Sequence, residues 1–181
     1  MKKLFVILWI ALFGQVASFA QDHFEKLGYG KWEKGWYADD FGDPMYDKPY
    51  IQTELKKKYS QYAWDFFYIR FSEMPRVGSV FEIIIGNVDS NYELYEGNAT
   101  IQIKSSGGKV STIIGKVSGG FIYLFADNAK KFAMLINSGN YKLNVSAHCY
   151  LDSNGKATTW SFSCTNETKG FYQAVQKVFG L

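Results

Sequence analysis

The chain has 181 residues, of which 20 are Lys or Arg, 17 are Asp or Glu, 2 are His and 18% are aromatic. Charge this balanced carries no electrostatic footprint for nucleic acid or an anionic membrane surface, so both are set aside as partners. Two His and two Cys, far apart, do not make a zinc cluster, and no motif implies a cofactor.

The first segment reads as an address. Lys2 and Lys3 give a positive start, residues 4–13 an apolar core, and Ser18-Phe19-Ala20 a small-x-small cleavage site before Gln21. That core is about half the ~20 residues a membrane-spanning helix requires. No Cys follows it, so lipid attachment is unsupported. The expectation is a signal peptide over residues 1–20 and a soluble chain exported to the periplasm or the cell exterior, with no membrane span after cleavage. Residues 21–181 suit one domain with a substantial core. Only Pro44, Pro49 and Pro75 interrupt them, and no repeat or low-complexity tract is present.

Residues 28–50 interleave Trp32, Trp36, Tyr37, Phe41, Tyr46 and Tyr50 with Asp39, Asp40, Asp43 and Asp47. A strand is expected over 31–38 and a loop over 39–49, because Gly42-Asp43-Pro44 is turn chemistry. The four Asp side chains offer a calcium alternative. Their spacing fits no calcium loop, and Asp serves tight turns by bonding their backbone, so no metal site is expected.

Residues 50–58, 64–71 and 80–87 read as strands, followed by shorter ones over 92–95, 99–104, 110–117 and 121–125, separated by Gly-rich turns. The second has apolar residues on both parities, as in a central strand covered on both sides or one bearing an aromatic patch. Lys56-Lys57-Lys58 suits a solvated strand end that blocks edge pairing. A helix over 128–137, capped by Asp127, is indicated by Ala129, Phe132, Ala133 and Ile136 on one stripe and by Gly139 after it; a strand over 132–136 is the rival. The last segment places Phe171, Val175, Val178 and Phe179 on one helical stripe that closes an open end of the sheet.

Residues 141–164 show the clearest pattern. Tyr141, Leu143, Val145, Ala147 and Cys149 share one parity and, after Asp152-Ser153-Asn154-Gly155, Trp160, Phe162 and Cys164 share another. Period two belongs to a half-buried strand, and Asn-Gly suits a hairpin turn. Placing Leu151 opposite Lys156 sets Ala147 against Trp160, Val145 against Phe162 and Leu143 against Cys164. Cys149 and Cys164 are then six residues apart along the strands, roughly 20 Å at ~3.4 Å per residue, whereas bridged Cα atoms lie within about 7 Å. The expectation is two buried free thiols. A disulfide survives only if the second strand crosses to another sheet. The resulting fold class is mainly β: an antiparallel β-sandwich, immunoglobulin-like or jelly-roll-like, with one or two short helices including a C-terminal closing helix.

The order of a Trp-bearing strand, Asp39-Asp40-Phe41-Gly42-Asp43-Pro44 and a Tyr50-Ile51 strand resembles uncharacterised secreted proteins of gut-type bacteria with a Trp…acidic-Phe-Gly-Asp signature. Their C-terminal half likewise runs helix, Gly, two strands and a closing helix, here ending in Gly170-Phe171-Tyr172-Gln173-Ala174. That ending is also similar to the invasion-associated locus B family of exported β-sandwich proteins. Pro44-Met45-Tyr46 departs from the small-residue turn of the first group, and the cysteine pattern of the second is absent. Neither resemblance implies a catalytic residue.

Nucleophilic catalysis needs a nucleophile beside a base. His23 follows the cleavage site, and His148 sits on the polar parity, pointing away from Cys149. Gly108-Lys109 lacks the upstream glycine of a phosphate loop. Glu73, Glu82, Glu93 and Glu96 could serve glycoside hydrolysis, but no spacing pairs them. The aromatics remain. Most belong to a core, while Trp32, Trp36, Tyr37, Tyr46, Tyr62 and Trp64 offer rings to stack on a glycan or a protein partner. The reading is an exported, non-catalytic binding or interaction module. The alternatives are a carboxylate-dependent periplasmic or surface glycoside hydrolase, and a structural or inhibitory envelope protein.

Overall fold

The computed structural model describes residues 24–59, 63–74, 77–87, 92–152 and 154–181, the side chains of residues 56–65 and 87 excepted. The expected signal segment, residues 1–20, lies outside them, as do His23 and Tyr62. Strands β1 (Glu25–Lys26), β2 (Glu33–Ala38), β3 (Pro44–Tyr59), β4 (Ala63–Met74) and β5 (Gly78–Asn87) form an antiparallel meander. They continue through β8 (Phe121–Phe125), β7 (Val110–Ser118), β6 (Gly97–Ser105), β9 (Tyr141–Ala147) and β10 (Thr158–Cys164) as one sheet. The protein is mainly antiparallel β, as its alternating runs indicate, with helices α1 (Ala126–Ile136) and α2 (Phe171–Phe179), the second at the C-terminal end.

The two packed layers are the two halves of this single sheet. It turns back so that β10 lies against β3, and Phe67 of β4 meets Phe162 of β10 with ring centroids 5.1 Å apart. One parity of every long strand faces inward: Ile51 and Leu55, Phe67, Ile69 and Phe71, Phe81, Ile83 and Ile85, Ile101 and Ile103, Leu143 and Val145 are all buried. Helix α1 covers β5, β7 and β8, and α2 packs on β3. Phe171 of α2 touches the rings of Trp32, Phe71 and Phe81. Burying rings of this size removes large apolar areas from water, at about 25 cal/mol per Å².

Thr168, fully buried, ties the far end together. Its hydroxyl donates to the Ile136 carbonyl at 2.6 Å and lies 3.2 Å from the Tyr141 hydroxyl and 3.4 Å from Cys164 Sγ. Its own carbonyl accepts the Trp32 indole N–H at 3.0 Å. One residue, through its hydroxyl and its carbonyl, thus links α1, β9, β10 and the approach to β2. Burial keeps the Tyr141 phenol well above its ordinary pKa. Cys149 and Cys164 are both buried and free.

Five expectations need correction. The β9–β10 register is offset by two: Trp160 pairs with Val145, Phe162 with Leu143 and Cys164 with Tyr141. The chain leaves the ladder after Ala147, because Cys149 bridges to Leu94. The Asp152 carboxylate then accepts from the Thr158 N–H and hydroxyl, both at 3.1 Å, so a long connection replaces the tight turn. A shift of two keeps every side chain on its face. Residues 92–95 contribute only that bridge and no strand.

Residues 44–49, expected as loop, belong to β3, while β2 begins at Glu33 rather than at residue 31. Before Ile51 meets Phe71, β3 pairs with β2 alone, with an irregular register between Trp36 and Ala38. A strand with one free side tolerates the missing N–H of Pro44 and Pro49. Finally, α1 starts at Ala126 straight from β8, with extended Phe125 at its N-cap and no side-chain cap. Asp127 lies in its first turn instead and approaches Lys130 at 3.9 Å.

Candidate functional site

With the core on one side, the outer face of the sheet becomes the place to look. Over β6, β7, β9 and β10 it is mostly polar: Thr100, Gln102, Thr112, Lys116, Lys142, Asn144, Ser146, Thr159, Ser161 and Ser163 are exposed or half-buried, with Val110 and Ile114 the exposed apolar residues of β7. Over β2, β3, β4, β5 and β8 it is not. There Tyr50, Gln52, Ser72, Val80, Glu82 and Ile84, all on the outward parity, are buried. Their own neighbours shield them.

Strand pairing explains the arrangement. Residues directly opposite lie about 5 Å apart at Cβ, so antiparallel register lays side chains out in rows across strands. One row runs Glu33, Gln52, Arg70, Glu82, Tyr123 and Lys116. The next runs Gly35, Tyr50, across to Ser72, then Val80 and Phe125. Arg70 and Glu82 form an ion pair at 3.4 Å, with 18% and 9% of their side chains exposed. The Arg70 guanidinium lies 4.2 Å over the Tyr50 ring and 5.7 Å from that of Tyr37. Tyr37 and Tyr50 meet edge to face at 5.1 Å, and the Tyr37 hydroxyl reaches Ser72 Oγ at 3.3 Å. Cation–π contact of this kind gains strength from partial desolvation.

Gly35 permits the stack. A Cβ there would stand 2.6 Å from the Tyr50 ring, so any other residue would displace it. Burial pushes the Tyr37 phenol far above the usual tyrosine range, with the Ser72 hydroxyl offsetting part of the shift. Burial likewise raises Tyr123, and the neighbouring Glu82 charge adds to it. The rings of Phe121, Tyr123 and Phe125 continue the surface along β8, the last two nearly parallel at 5.9 Å.

At one end of this face is an open groove of about 450 Å³. β2 stops at Glu33 while β3 runs on to Tyr59, and the step between them is lined by Phe24, Glu33, Gln52, Glu54 and Tyr68. Its rim is the Lys31–Glu167 ion pair at 3.2 Å. Partial burial would raise the Glu167 carboxyl. The Asn166 and Thr165 N–H groups and Lys31 outweigh that and hold it at about 2. Glu167 is therefore an ionised turn anchor.

The residues singled out from sequence do not assemble into one row. Trp32 is 1% exposed, packed on Phe171 with its indole N–H spent on Thr168; it is a core residue and leaves the list of ligand contacts. Trp36 and Tyr46 pair at 5.5 Å, with Lys34 over the Trp36 ring at 4.8 Å. Tyr37, adjacent to Trp36 in β2, points to the opposite face. The Trp64 side chain lies outside the described residues. Phe41, at the tip of the β2–β3 hairpin, is 92% exposed.

Asp39 serves the turn, accepting from the Phe41 and Asp43 N–H groups, both at 2.9 Å. Among the described residues, Asp39, Asp40, Asp43 and Asp47 form no group able to hold a metal. Of the carboxylates considered for hydrolysis, Glu73 is bonded by Ser79, Glu82 by Arg70, Glu96 accepts from the Gly119 N–H at 2.8 Å, and Glu93 is exposed. His148 pairs with Asp152 at 2.6 Å in the β9–β10 connection. Sequence reasoning passed over Gln52, Tyr50, Tyr68 and Arg70. Their only signal was polar or aromatic character on the second parity of strands already apolar on the first.

No family model matches the chain, and no curated protein or solved structure is significantly similar to it.

Proposed function

We propose that the protein is an exported, soluble, non-catalytic binding module of the periplasm or cell exterior. Its binding surface is the aromatic half of the outer face, over β2, β3, β4, β5 and β8. The observation that carries this reading is the Arg70–Glu82 pair, desolvated beneath Tyr37 and Tyr50 on the outward parity of the sheet. Holding two charges in that setting costs stability unless their geometry is used, and the polar half of the same sheet shows that folding alone does not demand it. The carboxylates set against hydrolysis support the non-catalytic side, since Glu73, Glu82 and Glu96 are each engaged by a structural partner.

The test compares the secreted protein with a Tyr123→Ser/Phe125→Ser double variant and a Thr159→Ala control on glycan and peptide arrays. Wild type and control bind at least one class of ligand, the double variant loses at least tenfold, and no reducing ends are released. Protein recovered from its native host begins at Gln21. An unaltered double variant, or release of new reducing ends, overturns the reading.

A further inference from the structure

We infer that the groove where β2 ends binds one neutral sugar unit of a glycan, with Gln52 as its hydrogen-bonding anchor; this rests on the binding reading above and names the ligand class. Gln52 is 8% exposed and lines the groove, yet its carboxamide has no hydrogen-bond partner among the described residues. Arg70 Nε is the one sealed, unpartnered polar atom among the described side chains, so the Gln52 amide opens onto the groove. Whatever satisfies it comes from there.

The neighbours narrow the chemistry. Glu33 stands directly opposite Gln52 across the β2–β3 ladder, which brings an acceptor-only carboxylate beside an amide that both donates and accepts. Hydroxyl groups match that pair, because each can donate to Glu33 and accept from the Gln52 NH₂. An ammonium or guanidinium group has donors only, and would leave those amide hydrogens unanswered. An acidic ligand is disfavoured by charge: Glu33 stands beside Gln52, and Lys31, the cation among the described lining residues, is already held by Glu167. Tyr68 and Phe24, both half-buried, supply flat apolar surface for the C–H face of a sugar ring. The volume of about 450 Å³ falls in the lower part of the ~300–1,000 Å³ range of small-ligand sites.

Affinity electrophoresis of the full secreted chain tests this. The gels hold neutral polysaccharides (dextran, mannan, xyloglucan), a soluble N-acetylated chitin oligomer as competitor, or the acidic polymers alginate and heparin; an oligo-lysine peptide is titrated separately. At least one neutral saccharide retards the wild type. Gln52→Glu, which keeps the shape and removes the donors, weakens that binding at least tenfold, as does Glu33→Gln at the half-buried end of the pair. Melting temperatures measured alongside confirm that both variants are folded. Retention of full affinity by both variants overturns the inference. Binding only to acidic polymers or to oligo-lysine, abolished in Tyr123→Ser/Phe125→Ser, also overturns it and leaves the binding surface standing. Failure on every saccharide and on the glycan and peptide arrays overturns both.

Discussion

The two halves of the outer face share one sheet, one inner core and one strand geometry, yet differ in what they place outside. Over β6, β7, β9 and β10 mostly polar side chains meet water, with pairs such as Ser146–Thr159 at 2.7 Å. Over β2, β3, β4, β5 and β8 aromatic rings shelter an arginine and a glutamate. Because both halves bury the same kind of interior, the core does not account for the difference. It lies in cross-strand rows, where register brings rings and charges from four strands to one place. A fold that needs only one buried face has no use for the second, which is why the aromatic half is the functional candidate.

Substitutions in each half break or sharpen that contrast. The largest effect is expected from Glu82→Gln, which leaves Arg70 charged and largely desolvated; losing one member of such a pair costs about 3 kcal/mol. Urea denaturation measures it. Replacing both groups in Arg70→Met/Glu82→Leu recovers most of the loss, since apolar substitutes of similar volume need no desolvation. Glu82→Gln also moves the Tyr123 phenol back toward the ordinary tyrosine range, because the Glu82 charge contributes to its elevation. A single and a double variant of equal stability would show that the pair is not sheltered.

Gly35→Ala comes next. The new methyl group at 2.6 Å from the Tyr50 ring forces the ring off Arg70, with an overpacking cost of about 2 kcal/mol. The near-ultraviolet circular dichroism of the Tyr37–Tyr50 pair changes with it. An unchanged spectrum at unchanged stability would mean that the stack yields freely.

The smallest effect belongs to the polar half. Thr159→Ala removes the exposed bond to Ser146 and shifts the unfolding midpoint by less than about 0.5 kcal/mol. A loss as large as that from Gly35→Ala would erase the distinction between the halves.

How much of this was legible beforehand follows from what each signal encodes. Period two announced the strands, and the parity of residues such as Leu143, Val145, Trp160 and Phe162 announced which side is buried, because alternation is a property of a single strand. The stripes over α1 and α2 were legible for the same local reason. Register is not local: offsets that differ by two residues bury the same parity, so the pattern accepted Ala147 opposite Trp160 as readily as Ala147 opposite Thr158. The Leu94–Cys149 bridge and the Asp152–Thr158 bonds, neither of which alternation encodes, decided it.

The candidate site was hidden by the same limit. Trp32 and Trp36 look alike in the chain, yet one is sealed against Phe171 and the other lies at the sheet edge. Gln52, Arg70 and Glu82 are unremarkable polar residues on three separate strands. Composition determined that the protein would be β-rich and crowded with rings, because alternation and aromatic content belong to the chain itself. Only the tertiary structure could set Glu33 beside Gln52 and Arg70 beside Glu82, because a row across a sheet is written in hydrogen bonds between strands.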